Sequence, residues 1–319
     1  MRMPGDDLSV SVIIPSHDRC DRLARLLATL DRPSATGGSF EVIVAVDGST
    51  DGTLEMLESL RTGYPLRVVA QPCRGPAAAR NAAIAVARGD VLLFLDDDVT
   101  PVDRLIERHL AVHRLSERAA VIGRMAAPPG VQLPPWLEWE AALLDRQYAW
   151  MLRGAYPTDW RAFYTANASV RRAEVVAVGA FDERLLRQED IELARRLAER
   201  GVGFHFIPDA VVHHHPDRTF EGWLRAASER GRQDVRLERE GGAHEQSLTA
   251  EWRRRHLLNR ALARWCVGHP LRTRAVVAAL RRALSLARGA ARARRLICSA
   301  LFNVQYWSGV AEAMRSTAS

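Results

Sequence analysis

Three consecutive carboxylates, Asp96, Asp97 and Asp98, follow five consecutive apolar residues, Val91-Leu92-Leu93-Phe94-Leu95. An apolar run this short reads as a strand buried on both faces, as in a parallel sheet, so the acids stand at its carboxyl end. Side chains alternate along a strand, which predicts Asp96 and Asp98 on one side and Asp97 on the other. Two oxygen ligands then converge on one point. Adjacent carboxylates repel unless a cation or tight hydrogen bonding neutralises them, and hard oxygen donors suit Mg²⁺ or Mn²⁺. The same stretch also reads as an acidic turn entering a helix, because Thr100-Pro101 is a favourable N-cap and first-turn pair. Further groups of this kind are Ser16-His17-Asp18, Asp47, Glu189-Asp190 and His213-His214-His215. Asp190 falls in the first turn of a helical pattern (Ile191, Leu193, Leu197), where the helix dipole favours its ionised form.

Apolar runs at 10–15, 40–46, 66–70 and 91–95 predict four strands. Between them lie a helix with core stripe Leu23, Leu26, Leu27 and Leu30, which Asp18 is placed to cap, and a helix carrying Leu54, Leu57 and Leu60. An Ala-rich helix follows, opened by Gly75-Pro76 and ended by Gly89 as a C-cap. This alternation predicts an α/β fold with a doubly wound, mostly parallel sheet flanked by helices, binding ligands outside the carboxyl ends of its strands. Ser16 to Asp18, Asp47 and the three acids all fall at that edge. A helix is expected at 101–115. Pro128-Pro129-Gly130 and Pro134-Pro135 interrupt regular structure, which predicts a mobile loop bearing Trp136 and Trp139. Short strands are expected at 203–208 and 210–212. From 217 onward the pattern is helical and rich in arginine, so the chain divides into a catalytic-looking domain, 1–216, and a helical C-terminal extension, 217–319.

The formal net charge of +7 over 319 residues comes from those C-terminal arginines rather than from the acidic half. They alternate with Ala, Leu and Val at helical spacing and lack the aromatic interleaving of a single-strand binder. The expected partner is therefore an anionic membrane surface and not nucleic acid, against the plainer alternative of a solvated helical face. Four cysteines lie far apart with no C-x-x-C pair, giving neither a zinc site nor a disulfide framework. Residues 1–7 are polar and acidic, unlike a signal peptide, and no run approaches the ~18 apolar residues of a membrane span. The expected location is the cytoplasm, peripheral to the inner face of the cell membrane.

VSVIIPSHDR, VDGSTDGT, GPAAARNAAIAVARGDVLLFLDDDV, NASVRR, GAFDERLLRQEDIELARRL and VVHHH occur in this order over residues 9–215, about two thirds of the chain. This ordered set resembles the family-two inverting glycosyltransferases of GT-A fold. The resemblance implies an enzyme that moves a sugar, with inversion, from a nucleotide-diphosphate-sugar donor to an acceptor hydroxyl. The acceptor would be a saccharide or lipid-linked molecule, in envelope polysaccharide, glycolipid or natural-product glycosylation. It implies Mn²⁺ or Mg²⁺ held by Asp96 and Asp98, with His213 completing the site and His215 sharing its side of the strand. Asp190 resembles the family's base, with Glu189 in support. Pro15, Ser16, Asp18 and Asp47 are placed to cradle the nucleoside, Arg80 and Asn81 resemble residues near the nucleotide, and Asp96 and Asp97 complete the donor-binding set. One departure is Val46, where the family often has the first acid of Asp-Asp-Gly-Ser. The competing readings are a nucleotidyltransferase with a similar fold, against which the non-glycine-rich Pro15-Ser16-His17-Asp18 loop argues, and a non-enzymatic membrane-surface binding protein.

Overall fold

The computed structural model describes residues 8–32, 39–185, 187–240 and 248–316. The N-terminal half alternates β1 (Val10–Ser16), α1 (Cys20–Leu30), β2 (Phe40–Asp47), α2 (Thr53–Ser59), β3 (Leu66–Gln71), α3 (Pro76–Val86) and β4 (Val91–Leu95). It continues with β5 (Val99–Pro101), α4 (Leu105–Leu115), β6 (Ala119–Ala126), α5 (Pro135–Leu152), β7 (Asn167–Arg171), α6 (Arg172–Ala177), α7 (Glu189–Glu199) and β8 (Gly203–His214). One sheet has the order β3-β2-β1-β4-β7-β6-β8-β5. β1 to β4 run parallel to one another, whereas β7 and β5 run against their neighbours. The fold is thus a mostly parallel α/β sheet flanked by helices, with the carboxyl ends of β1, β2 and β4 adjacent.

Alternation sorts the core into two layers. Ile13, Ile43, Leu92 and Phe94 pack with the alanines of α3 on one face. Val12, Ile14, Val44, Leu93 and Leu95 pack with Leu23, Leu26 and Leu27 of α1 on the other. Helices cover both faces of the central strands, so β4 is apolar at every position, and the polar Ser11 of β1 is accommodated by donating to Glu41 of β2 at 2.7 Å.

Several local expectations are corrected. Residues 99–101 are not a helix start. Thr100-Pro101 lies in β5, paired antiparallel with β8, and the helix begins only at Leu105 behind Arg104, whose φ is +61°. Trp136 and Trp139 lie on α5 and not on a loop, with Trp139 buried. The two short strands at 203–208 and 210–212 are one strand, β8, which bulges at 208–210: Gly123 of β6 pairs with Ile207 and the next residue, Arg124, with Val211. Gly89 is not a left-handed cap, because α3 is already closed at Ala87 by extended backbone. It is glycine because a Cβ there would lie 2.4 Å from the Ser11 amide nitrogen. α1 receives no side-chain cap from Asp18, and the Cys20 amide donates instead to Asp51 of the second loop at 2.8 Å.

β6 and β7 carry no strand signal strong enough to read in advance. β7 has polar Asn167 and Ser169 facing inward, both buried. Asn167 Nδ2 donates to the carbonyls of Arg124 and Ala210, so its Oδ1 must accept from His109 Nε2, 3.0 Å away. His109 Nδ1 then accepts from Ser169 Oγ at 2.9 Å, and Ser169 accepts from His113 Nε2 at 2.8 Å. Burial pushes these imidazoles down to about 4 and about 3, which keeps the network neutral.

The described chain forms two compact units, Met1–Val131 with Leu144–Pro216, and Gln132–Leu143 with Asp217–Ser319. The second comprises the start of α5 and α8 (Phe220–Glu240), α9 (Leu248–Arg254), α10 (Leu257–Cys266), α11 (Pro270–Leu286) and α12 (Ala291–Arg315). Its core holds Trp139, Phe220, Trp223 and Leu301. α8 and α12 cross at Gly231 and Gly309, where a Cβ would sit 2.1 Å from the Tyr306 carbonyl oxygen and 1.9 Å from that of Ser228. Backbone cannot yield as a flexible side chain can, so Gly309→Ala must push the helices apart. It is expected to reduce stability by about 1–3 kcal/mol, read as a lower urea midpoint. An unchanged midpoint would show that the helices separate without penalty.

Candidate active site

Odd-numbered residues of β4 face α1 and even-numbered ones face α3, so the first two acids diverge as they leave the strand. Asp96, on the α3 side, meets Arg80, whose Nη2 donates to its Oδ1 at 2.8 Å. Asp97, on the α1 side, accepts from Ser16 Oγ at 2.8 Å and from Arg19 Nη1 at 3.0 Å. Strand alternation does not place Asp98, although it stays near enough to Asp96 for its charge to raise that carboxyl. β4 ends at Leu95, residues 97 and 98 form a turn, and Asp98 Oδ2 accepts from the same Arg19 nitrogen at 2.8 Å. Arg19 thus bridges two of the three acids, a role the sequence reading missed. The available signal was a single arginine just beyond β1, facing a three-acid edge.

The three carboxyls differ in character. Burial raises that of Asp96, with Asp98 and Glu189 adding to the rise and Arg80 opposing it. Burial also pushes Asp97 up to about 6 against the pull of Arg19 and Ser16. At Asp98 burial is outweighed by His214 and Arg19, which hold it at about 2.

Arg80, on the inner face of α3 and 5% exposed in its side chain, joins this edge to α7. Its Nη1 donates to Glu189 Oε1 at 2.6 Å, and its guanidinium lies 5.6 Å from the Phe181 ring centre. Glu189 is therefore a buried ion-pair partner. Asp190 leaves α7 in another direction: its Oδ1 accepts from the Ile191 amide at 2.8 Å and its Oδ2 from that of Thr165 at 3.4 Å. Burial, and then the neighbouring Glu189 carboxylate, push Asp190 up to about 7 despite Arg80. Gln188 just before it has φ +59°, a strained conformation for a residue with a Cβ.

The donor-side candidates mostly engage one another. The Thr50 amide donates to Asp18 at 2.7 Å and the Asp18 amide to Ser49 Oγ at 3.0 Å. With Cys20 bound to Asp51, these bonds tie the loop after β1 to the loop after β2. Asp47 is buried, accepting at Oδ1 from Gln71 Nε2 and the Arg74 amide and at Oδ2 from the Gly75 amide. It therefore organises the loop that starts α3. Asn81 clamps the Phe181 backbone, donating to its carbonyl and accepting from its amide, both at 2.9 Å. Pro15 is partly buried at the end of β1, before Ser16.

Of the three histidines, His214 and not His213 approaches the acids, with Nε2 3.4 Å from Asp98 Oδ1. His213 of β8 and His215 just beyond it share the opposite side, where His215 Nε2 lies 2.9 Å from Thr100 Oγ1. The reason is register. Thr100 pairs with His213, and the His215 amide bonds the Asp98 carbonyl, so alternation turns only the middle ring toward the carboxylates.

The donor set fits a hard divalent cation. Asp98 Oδ1 is buried and accepts no hydrogen bond among the described residues, and Asp96 retains an oxygen not held by Arg80. Among the described residues no three His, Cys, Asp or Glu side chains converge as a ready-made cage. Mg²⁺-type sites often use one or two carboxylates, with substrate phosphates supplying further ligands.

Comparison with known proteins agrees with this arrangement. The family model for glycosyl transferase family 2 matches residues 11–192, more than half of the chain. An uncharacterized glycosyltransferase, YfnE of Bacillus subtilis (strain 168), is 33% identical over 260 residues, covering 66% of this chain and 66% of that protein. Validoxylamine A glucosyltransferase of Streptomyces hygroscopicus subsp. jinggangensis (strain 5008) is 31% identical over 229 residues, covering 63% of this chain and 54% of that protein. The chain thus spans less than two thirds of the length of either relative. Among solved structures, the mannosyltransferase PcManGT from Pyrobaculum calidifontis, in complex with GDP-Man and Mn²⁺, superposes with TM-score 0.60 at 21% identity, covering 96% of this chain and 87% of that one. S. aureus TarS 1-349 in complex with UDP superposes with TM-score 0.50 at 17% identity, covering 97% of this chain and 92% of that one. With a GT-A-type sheet, an acid-rich carboxyl edge and a family match across both β4 and the start of α7, the chain belongs to glycosyl transferase family 2.

Proposed function

We propose that this chain transfers a sugar, with inversion, from a nucleotide-diphosphate-sugar to an acceptor hydroxyl, with Asp190 as the base. The observation that supports this reading is geometric: Asp190 stands next to Glu189, and Arg80 joins Glu189 at 2.6 Å to Asp96 of the acid edge at 2.8 Å. Asp98 is held at about 2 and stays anionic, whereas Asp190 is pushed up to about 7, where a group can take and release a proton. Glu189 keeps Arg80 in place, and Arg80 in turn holds Asp96. Mn²⁺ or Mg²⁺ would be held by Asp96 and Asp98 with His214 beside them, and when bound it would supply positive charge to the departing diphosphate. Arg19 fixes the Asp98 carboxylate through Oδ2, and Oδ1 faces His214 Nε2 at 3.4 Å. The loops tied together by Asp18 and Thr50 border the same edge and would receive the nucleoside.

Asp98→Ala is expected to abolish the Mn²⁺ dependence of nucleotide binding while the fold survives. Calorimetric titration with UDP and with GDP, each with and without Mn²⁺, reads it. An Mn²⁺-dependent affinity unchanged from wild type would remove Asp98 from the metal site.

We also infer that the second unit meets an anionic membrane surface. Leu257, Leu258, Trp265 and Leu271 are 72%, 73%, 52% and 77% exposed, and the Arg272 guanidinium lies 5.6 Å from the Trp265 ring centre. Leu258, Ala261 and Trp265 share one exposed face of α10, with the exposed Arg264 next to Trp265 on the same helix. Exposed aliphatic and indole groups beside arginines suit the headgroup boundary. No helix among the described residues is long and apolar enough to cross a membrane. Leu258→Glu/Trp265→Glu is expected to weaken co-sedimentation with phosphatidylcholine vesicles containing phosphatidylglycerol by about tenfold. Equal co-sedimentation of wild type and variant would overturn the assignment.

A further inference from the structure

The side of β8 turned away from Asp98 borders a cavity of about 620 Å³. It is an open depression rather than an enclosed chamber, with Arg25 and Arg32 exposed on its wall. Its walls carry Arg25 of α1, Arg32 just beyond α1, Arg108 of α4, His213 of β8 and His215 just beyond β8, with Asp103 as the one carboxylate. Three guanidiniums face one carboxylate, an excess of two positive charges before any imidazole is protonated. Among the described residues no carboxylate pairs with Arg25, Arg32 or Arg108, and Arg108 spends a donor on the neutral Asp209 carbonyl. Nothing in the proposed transfer uses these groups. The acids, Arg19, Arg80 and Asp190 are bonded elsewhere, and strand alternation separates His214 from its two neighbours.

Like charges brought together by Arg25 and Arg32 from α1 and the residues after it, and by Arg108 from α4, repel one another, and a bound anion would relieve this. Guanidinium forks match phosphate oxygens in pairs, which makes a phosphate or diphosphate group the best fit to the wall. We propose that this cavity binds a phosphate monoester or diphosphate group, separately from the nucleotide edge. The group would come either from a lipid headgroup or from a soluble phosphate.

The test uses the full chain in EDTA, where the carboxylate edge lacks a metal to attract anions. Inorganic pyrophosphate, and dihexanoyl phosphatidic acid below its micellar concentration, are titrated by calorimetry into wild type, Arg25→Glu/Arg32→Glu and Asp98→Ala. Both arginines are exposed, so the double variant is expected to keep its circular dichroism and melting temperature. Wild type and Asp98→Ala should bind at least one probe with similar affinity, and the double variant at least about tenfold more weakly. The tighter probe identifies the source, headgroup or soluble phosphate. No binding of either probe to wild type, or equal affinity in a folded double variant, would overturn the proposal. Lys at both positions serves as the second variant, since it keeps the charge and should recover part of the affinity.

Discussion

Asp190→Asn is expected to lower sugar transfer by about 10²-fold or more while leaving affinity for the nucleotide donor near wild type, the scale for losing a general base. Asparagine preserves size and can still accept from the Ile191 amide through its one oxygen, giving up only the longer bond from Thr165, but it cannot take the acceptor proton. A second readout follows from charge. Burial and Glu189 raise the folded-state value of Asp190 to about 7, while an unfolded aspartate titrates near ~3.9. The protonated form is thus favoured by folding. Its contribution to stability is fully present below pH ~3.9 and is lost as pH rises through about 7. Asn cannot ionise, so the variant should melt at or above the wild-type temperature at pH 8 in metal-free buffer. In wild type, kcat/KM should rise with pH through about 7, because only the ionised base is competent. Near-normal turnover by the variant would remove Asp190 from the role and leave Glu189 as the next carboxylate to examine.

Arg80→Met should have the largest effect on stability. Methionine approximates the volume of the stem but removes the cation between Asp96 and Glu189, which accept from it at 2.8 Å and 2.6 Å. Removing one partner of a buried ion pair typically costs about 3–5 kcal/mol, because the remaining charge is left unpaired. A urea midpoint reads this loss, and Arg80→Met/Glu189→Gln should recover part of it by removing the most buried orphan. A double variant no more stable than the single one would mean that Arg80 acts through packing alone. The same substitution removes the charge that holds the Asp190 carboxyl down, so the rise of kcat/KM should move to higher pH in any residual activity.

Much of the fold was legible in advance because its rules are local. Short apolar runs with helical stripes between them leave a chain few alternatives to a parallel sheet covered on both faces, and Ile13, Leu92 and Phe94 pack as that pattern requires. The position of the three acids at a carboxyl edge follows from the same pattern. Their partners do not. Alternation holds only while the strand lasts, and the turn after Leu95 hands Asp98 to Arg19, 79 residues earlier in the chain. Register, which local sequence does not encode, chose His214 over His213 by pairing Thr100 with the latter. β7 escaped notice because its inward face is polar, and Asn167 and Ser169 are tolerated inside only since His109 and His113, from another element, complete their hydrogen bonds. Sequence by itself determined which residue types stand at the strand ends, because hydrophobic periodicity acts over a few neighbours. Only the tertiary structure decided which carboxylate is held anionic and which rises toward neutrality, because burial and ion pairing depend on groups far apart in the chain.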